Sequence, residues 1–387
     1  MIKRNFPKKH LRILVCDPSY SKGVNRVPMI LRIKYWQKRD LAVSLLCSSE
    51  AQRFYQSQVK QITYHTFSFK WKSKEYYSAI TDFLKVNILA IPLIFEVKGS
   101  VDIIYSLSST LDLIFIPFLI KMLNKKIRWY VNVDNTVPKP QERPGSLFLK
   151  TVPYLAFLFS NFLLKKTDAI FVVPNYLKKY YEKRGIKVIK TNDYYGIEPG
   201  IFSGKISAKT LKFNALFGAR LHPAKGIFDL AEIMKKIVRR RKNFTLGIMG
   251  DGVSYHKKLL KDKIGSCKLE KKMIFVGYKR GKEKGDLFRN CDFFLSPSYA
   301  EGMTIAVLEA MVINKSVIAY DLPEYHDVFK KFIESGQLVL FPKGDTTSVA
   351  NYILSADFLK RKFQNKLSDY KWEKVFQSEY QEFVKEN

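Results

Sequence analysis

The sequence predicts an α/β protein made of two Rossmann-like, doubly wound domains. Three observations carry that reading. Short runs of four to six apolar residues recur along the chain, continuous rather than alternating, as in parallel strands covered on both faces. Helical patterns separate them. The whole pattern restarts near residue 213. A chain of 387 residues is also long for one core and suits two.

The first apolar run is Arg12-Ile-Leu-Val-Cys16, followed by a polar loop from Asp17 to Gly23. A helix is expected over residues 28–39 and a second strand over 41–46, which makes a βαβ unit. Residues 101–105, 127–131 and 169–173 read as further buried strands, the last followed by a helix over 176–184. In the second half, strands are expected at 213–217, 245–249, 273–276, 293–295, 316–319 and 338–340, with helices between them. Residues 199–209 read as a linker. The expected domains are 1–200 and 201–365, with a last helix in 366–387. In paired sheets of this kind a ligand is expected between the domains, at the carboxyl ends of the strands.

Composition narrows the partners. There are 67 Lys+Arg against 35 Asp+Glu, a net charge of +32. Residues 1–200 hold 33 basic and 14 acidic side chains, so the excess is not confined to one tail. Nucleic acid, an anionic membrane and a lysine-rich background all fit such a charge. No nucleic-acid-binding motif accompanies it, so no nucleic-acid partner is expected. Cys16, Cys47, Cys267 and Cys291 are scattered, without metal-ligand spacing, and are expected as plain thiols in a reducing compartment. Residues 151–164 form the longest apolar stretch, bounded by Lys150 and Lys165-Lys166. It falls short of the ~20 residues that span a bilayer. A buried helix and a membrane-surface helix both fit it, and Lys3, Arg4, Lys8 and Lys9 add charge at the N-terminus.

Two segments carry candidate chemistry. In Ser296-Pro-Ser-Tyr-Ala-Glu301-Gly302-Met303-Thr304, a strand ends, a loop follows and a helix begins near Gly302. Free N–H groups at such a helix start suit a phosphate. Glu309 falls close to the helix's apolar stripe, where a carboxylate needs a partner and sugar hydroxyls would serve. Ser298-x-x-Glu301 fits a capping box equally well. In Phe217-Gly-Ala-Arg220-Leu-His-Pro-Ala-Lys225-Gly226, two cations on one loop can clamp a diphosphate, although cations are abundant in this chain. His222 on that loop reads as a phosphate contact or a solvated side chain.

Taken in order, Gly218-x-Arg220-Leu221 with Lys225-Gly226, then Gly250-Asp-Gly252, Phe275-Val-Gly277, Cys291-Asp292, Ser296-Pro-Ser298 and Glu301-x7-Glu309 resemble the donor domain of family-4 glycosyltransferases with the GT-B fold. Gly196-Ile-Glu-Pro-Gly-Ile-Phe202 resembles the family's hinge, and Lys371-Trp-Glu373 the start of its last helix, which typically returns to the first domain. The resemblance implies two Rossmann-like domains facing across a cleft, the first for the acceptor and the second for the donor. It implies that Arg220 and Lys225 neutralise the donor diphosphate and that Glu309 binds the ribose. Glu301 would bind the donor sugar, with Gly302, Met303 and Thr304 offering backbone N–H groups. Of the family's N-terminal glycine pair only Gly23 carries over. Where many relatives place a histidine this chain has Asp134, which reads as a base, as a group orienting the sugar, or as an Asx-turn residue.

The implied activity is a retaining hexosyltransferase, independent of metal and without a cofactor; the chain has no Asp-x-Asp motif. The expected partners are a nucleotide-sugar donor and a glycan or lipid-linked acceptor. Synthesis of surface polysaccharide or glycolipid is expected, in the cytoplasm or peripherally at the inner face of an anionic membrane. A non-catalytic nucleotide-sugar-binding subunit is the alternative.

Overall fold

A computed structural model describes residues 11–18, 26–69, 76–142, 147–302 and 305–385. The chain forms two compact units, Met1–Asp193 together with Glu373–Asn387, and Tyr194–Trp372.

The first unit is a seven-stranded parallel sheet. Its strands are β1 (Arg12–Asp17), β2 (Ala42–Ser48), β3 (Thr63–Phe67), β4 (Ile103–Ser106), β5 (Arg128–Asn132), β6 (Ala169–Val172) and β7 (Val188–Lys190). Their order is β3-β2-β1-β4-β5-β6-β7. The helices are α1 (Val27–Gln37), α2 (Ser49–Gln56), α3 (Tyr76–Val97), α4 (Leu111–Leu123), α5 (Leu147–Leu164) and α6 (Asn175–Glu182). β4 and β6 are buried at every residue, which is why they read as unbroken apolar runs. One face of the sheet packs Leu14, Ile104, Trp129 and Ile170 against α3, α4, α5 and α6. On the other, Trp36 of α1 stands edge-on to Tyr105 at 5.1 Å.

The second unit is a six-stranded parallel sheet. Its strands are β8 (Phe213–Gly218), β9 (Leu246–Met249), β10 (Met273–Gly277), β11 (Cys291–Ser296), β12 (Ser316–Tyr320) and β13 (Leu338–Phe341), in the order β10-β9-β8-β11-β12-β13. The intervening helices are α7 (Ile227–Arg240), α8 (Ser254–Ser266), α9 (Gly281–Arg289), α10 (Ile305–Val312), α11 (Pro323–Val328), α12 (Lys330–Glu334) and α13 (Thr346–Ser355). The chain winds one way from β8 to β10 and the other way from β11 to β13. That reversal places the switch point between β8 and β11, where ligands bind in such sheets.

Residues 199–209, expected as a linker, belong in part to this second core. A 3₁₀ turn, Pro199–Phe202, buries Ile201 and Phe202. It lies so close to α9 that a Cβ on Gly285 would stand 1.8 Å from the Ile201 carbonyl oxygen. Nearby, the Ile197 N–H donates to the Tyr370 carbonyl at 2.7 Å, and Ile197 pairs with Lys371 in a parallel bridge. The hinge-like segment and the segment preceding the last helix are thus one structural feature of the second unit.

The last helix, α14 (Trp372–Val384), contributes residues from Glu373 onward to the first unit. Glu379 is fully buried and receives Arg32 through two bonds, Nε to Oε2 at 2.6 Å and Nη2 to Oε1 at 2.8 Å. The Tyr105 hydroxyl donates to the same carboxylate at 3.3 Å. Phe383 sits among Tyr105, Tyr130 and Phe171.

Candidate functional site

The loops after β8 and β11 meet at the switch point of the second sheet. After β8 the chain passes Arg220, makes a 3₁₀ turn over Pro223–Lys225 and enters α7 through Gly226. Gly226 has φ +66°, the left-handed region that favours glycine, and a Cβ there would stand 1.8 Å from the Pro297 carbonyl oxygen. The two loops also bond directly. The Tyr299 N–H donates to the Ala224 carbonyl at 2.9 Å, and Lys225 Nζ donates to the Ala300 carbonyl at 2.8 Å. A second glycine, Gly250 at φ +148°, brings the loop after β9 against the Ala219 carbonyl, where a Cβ would come to 1.9 Å. The Leu221 N–H then donates to the Asp251 carbonyl at 2.9 Å.

This scaffold brings Lys225 and Glu301 together: Nζ lies 2.7 Å from Oε2, and both side chains are mostly buried. Arg220 is exposed, and among the described residues no carboxylate pairs with it. An exposed guanidinium beside an already neutralised lysine suits an anion. His222 on the same loop is exposed, as a solvated side chain would be, and uncharged near neutral pH. Its Nδ1 accepts the Ala224 N–H at 3.1 Å. Burial, then His256, Arg220 and Lys225, push its pKa down to about 4.

Glu309 lies on α10 with 3% exposure. The sequence foresaw that a carboxylate there needs a partner, and the protein supplies half of one. Lys284 Nζ on α9 sits 2.6 Å from Oε1, while buried Oε2 has no hydrogen-bond partner among the described residues. Burial raises the Glu309 pKa; Lys284 opposes the rise and Glu198 adds to it. The Ser298 hydroxyl is also buried without a partner among the described residues, so it makes no capping-box bond. Buried oxygens in that state cost free energy unless a polar ligand meets them.

Sequence reasoning missed Lys284 and Glu324. Lys284 lies in a Gly281-Lys-Glu-Lys-Gly285 stretch that looks like any solvated helix start. Glu324, at the start of α11, has a buried Oε2 without a partner among the described residues. Its pKa is raised by burial, with Lys343 and Lys225 opposing the rise and Glu301 reinforcing it. Only its position just past β12, next to β11 in the sheet, could have signalled it.

In the first unit, Asp134 follows β5 in extended chain, half-buried. Asn132 Nδ2 donates to its Oδ1 at 2.8 Å. Burial pushes its pKa up to about 6, against the pull of Asn132 and Arg32. Gly23, Met303 and Thr304 lie outside the described residues, as do Lys3, Arg4, Lys8 and Lys9. Gly302 is described and half-buried. Among the described residues no group of three or more His, Cys, Asp or Glu is arranged to hold a metal ion. No helix among them is long and apolar enough to cross a membrane.

Residues 202–371 match the glycosyl transferases group 1 family. The match covers the second unit almost end to end. The GtfA subunit of a UDP-N-acetylglucosamine–peptide N-acetylglucosaminyltransferase from Streptococcus parasanguinis is 28% identical over 137 residues, which are 35% of this chain. That stretch spans 26% of the relative's length. Among solved structures, sucrose-phosphate synthase from Thermosynechococcus elongatus is similar with a TM-score of 0.74 at 13% identity, covering 96% of this chain and 98% of that one. HepE of Anabaena, solved with UDP and glucose, is similar with a TM-score of 0.70 at 15% identity, covering 97% and 100%. TarM of S. aureus, solved with UDP among its ligands, has a TM-score of 0.67 at 12% identity, covering 97% and 100%. These likenesses concern the fold, which is GT-B.

Proposed function

We propose that the protein is a retaining glycosyltransferase that moves a sugar from a nucleotide-diphosphate donor to the hydroxyl of a glycan or lipid-linked acceptor. The observation that carries this reading is Glu309. A carboxylate buried at the ligand-binding edge of the second sheet, with one oxygen on Lys284 and the other unpartnered, suits a diol such as a ribose.

The remaining roles follow from charge. Breaking the sugar–phosphate bond leaves negative charge on the nucleotide diphosphate. Arg220 and Lys225, with the backbone N–H groups from Gly302 through Met303 and Thr304, offset that charge without a metal. Glu301, held by Lys225, accepts hydrogen bonds from the donor sugar, and Gly23 is a further candidate donor contact. The acceptor oxygen forms its bond to the anomeric carbon on the face the phosphate leaves, and the departing phosphate oxygen takes its proton. Asp134 either orients the sugar or, acting as the base, takes that proton in place of the phosphate. Family-4 membership, synthesis of surface polysaccharide or glycolipid, and a cytoplasmic site at the inner face of an anionic membrane complete the reading.

The test is donor binding and hydrolysis in EDTA, across UDP-, GDP- and ADP-sugars, for the wild type and Glu309→Ala. One nucleotide that stabilises the wild type but not the variant, with slow release of nucleotide, is the expected result. Stabilisation by no donor would sink the proposal. Binding without release, even with acceptors added, favours a non-catalytic subunit, the reading that Asp134 in place of a histidine keeps open.

A further inference from the structure

The first unit carries an apolar surface that its described residues do not cover. On α3, Leu84, Ile88, Ile91 and Phe95 follow a helical stripe and are 43–64% exposed. On α5, Leu155, Leu158, Phe159 and Phe162 do the same, at 43–61%. α4 packs against both helices. The inner faces of all three serve the core through Val86, Ala90 and Ile94 on α3, Ile116 and Ile120 on α4, and Leu163 on α5. The outward stripes are therefore surplus to folding, and single scattered apolar residues do not explain them.

Charge identifies the occupant. α3, α4 and α5 each connect parallel strands, so they run in one direction and end along one edge of the sheet. Lys98 follows α3, Lys125 and Lys126 follow α4, and Lys165 and Lys166 follow α5. Lys98 Nζ lies 4.9 Å from the Phe95 ring centroid, so the basic rim adjoins the apolar stripe. The acids at this edge are already engaged, Asp102 by Arg12 and Asp168 by Lys121. Glu96 on α3 pairs with His65. Two copies meeting through this face would bring two lysine rims together on chains of net charge +32. An anionic bilayer offers the opposite charge at its headgroups and an apolar layer beneath them.

We propose that the outer faces of α3 and α5, with the lysine rim at their C-terminal ends, dock the protein on an anionic bilayer. The inference deepens the membrane part of the function proposed above by assigning it a surface. Donor binding reads the second unit and vesicle binding reads the first, so the two readings fail separately.

The experiment is flotation of the full chain with vesicles of phosphatidylcholine alone or mixed with phosphatidylglycerol. The wild type should float with the anionic vesicles and much less with the neutral ones. Removing two rim charges, Lys125→Gln with Lys126→Gln, should weaken partitioning on the order of thirty-fold. Phe95→Asp with Phe162→Asp should weaken it at least about ten-fold. Thermal denaturation and donor-induced stabilisation check that the variants fold. Equal partitioning of folded variants and wild type, or no flotation of the wild type, overturns the proposal. A wild-type dimer that the aspartate pair dissociates, with no vesicle binding, assigns the face to a second copy instead. Loss of a co-purifying protein from the aspartate pair, again with no vesicle binding, assigns it to a protein partner.

Discussion

Lys284→Met tests the reasoning about Glu309 most directly. The substitution keeps the length of the stem and removes the ammonium that lies 2.6 Å from Oε1. Glu309, 3% exposed, then holds a carboxylate with no cation. Breaking a buried pair from one side costs ~3–5 kcal/mol. The Lys284 side chain keeps 24% exposure, so water reaches that end and the cost falls to about 2–3 kcal/mol. In a unit of this size that is a Tm drop of about 5–10 °C. The sign with pH follows from the raised pKa of Glu309 in the folded state. The unfolded chain ionises this group first, so the folded state holds the extra proton and loses stability as pH rises from the ordinary glutamate value to the folded one. Without Lys284 the folded pKa rises further, so the deficit should be smaller at pH 5 than at pH 8. Nucleotide binding should move the other way, because a protonated Glu309 offers the ribose a poorer acceptor. Affinity lost at the lower pH should recover as pH rises, and Lys284→Arg should restore most of it. Thermal denaturation and nucleotide titration at these pH values supply the measurements. A deficit that is the same at pH 5 and pH 8 would refute the account of the pair.

Three further outcomes are expected. Asp134→Asn should lower kcat by ~10²–10⁴ and flatten the rise in rate through pH about 6, since the folded pKa is pushed up to about 6; an unchanged pH–rate profile removes Asp134 from the chemistry. Gly226→Ala forces a Cβ to within 1.8 Å of the Pro297 carbonyl at a left-handed φ, so a loss of more than about 3 kcal/mol by denaturant unfolding is expected, with donor affinity lost alongside. Wild-type stability in that variant would show that the two loops are not fastened there. Glu379→Ala leaves Arg32 buried and unpaired, which should cost ~3–5 kcal/mol in unfolding of the first unit; an effect below about 1 kcal/mol would mean that α14 is dispensable to it.

The sequence showed the two sheets because their central strands are covered on both faces and so are apolar throughout. It did not show β3, which buries only Phe67, or β7, which has three half-buried residues. Edge strands lack the pattern that marks central ones. α3 went unread for the opposite reason: it is apolar on its outer stripe as well as its inner one, so no 3.6-residue contrast marks it. Within the site, Lys225 and Glu301 were singled out separately, and folding joins them. Lys284 could not be found, because its importance lies in facing Glu309 from another helix, 25 positions away in the chain.

The glycines and cations of the site answer one problem. A nucleotide diphosphate needs fixed positive charge, but free cations on mobile loops repel one another and spend conformational entropy on binding. Here the loop carrying Arg220 and Lys225 is pinned to the loop after β11 by the Gly226–Pro297 approach and the bonds to Ala224 and Ala300. Lys225 is further held by Glu301, and Arg220 is left with no anion among the described residues. One cation is positioned and partly neutralised, and one is available. The same division recurs at Glu309, with one oxygen on Lys284 and one unpartnered. In each pair one group holds the geometry while the other is left without a partner among the described residues. Replacing the holding group should therefore change stability and affinity together, whereas replacing Arg220 should change affinity alone.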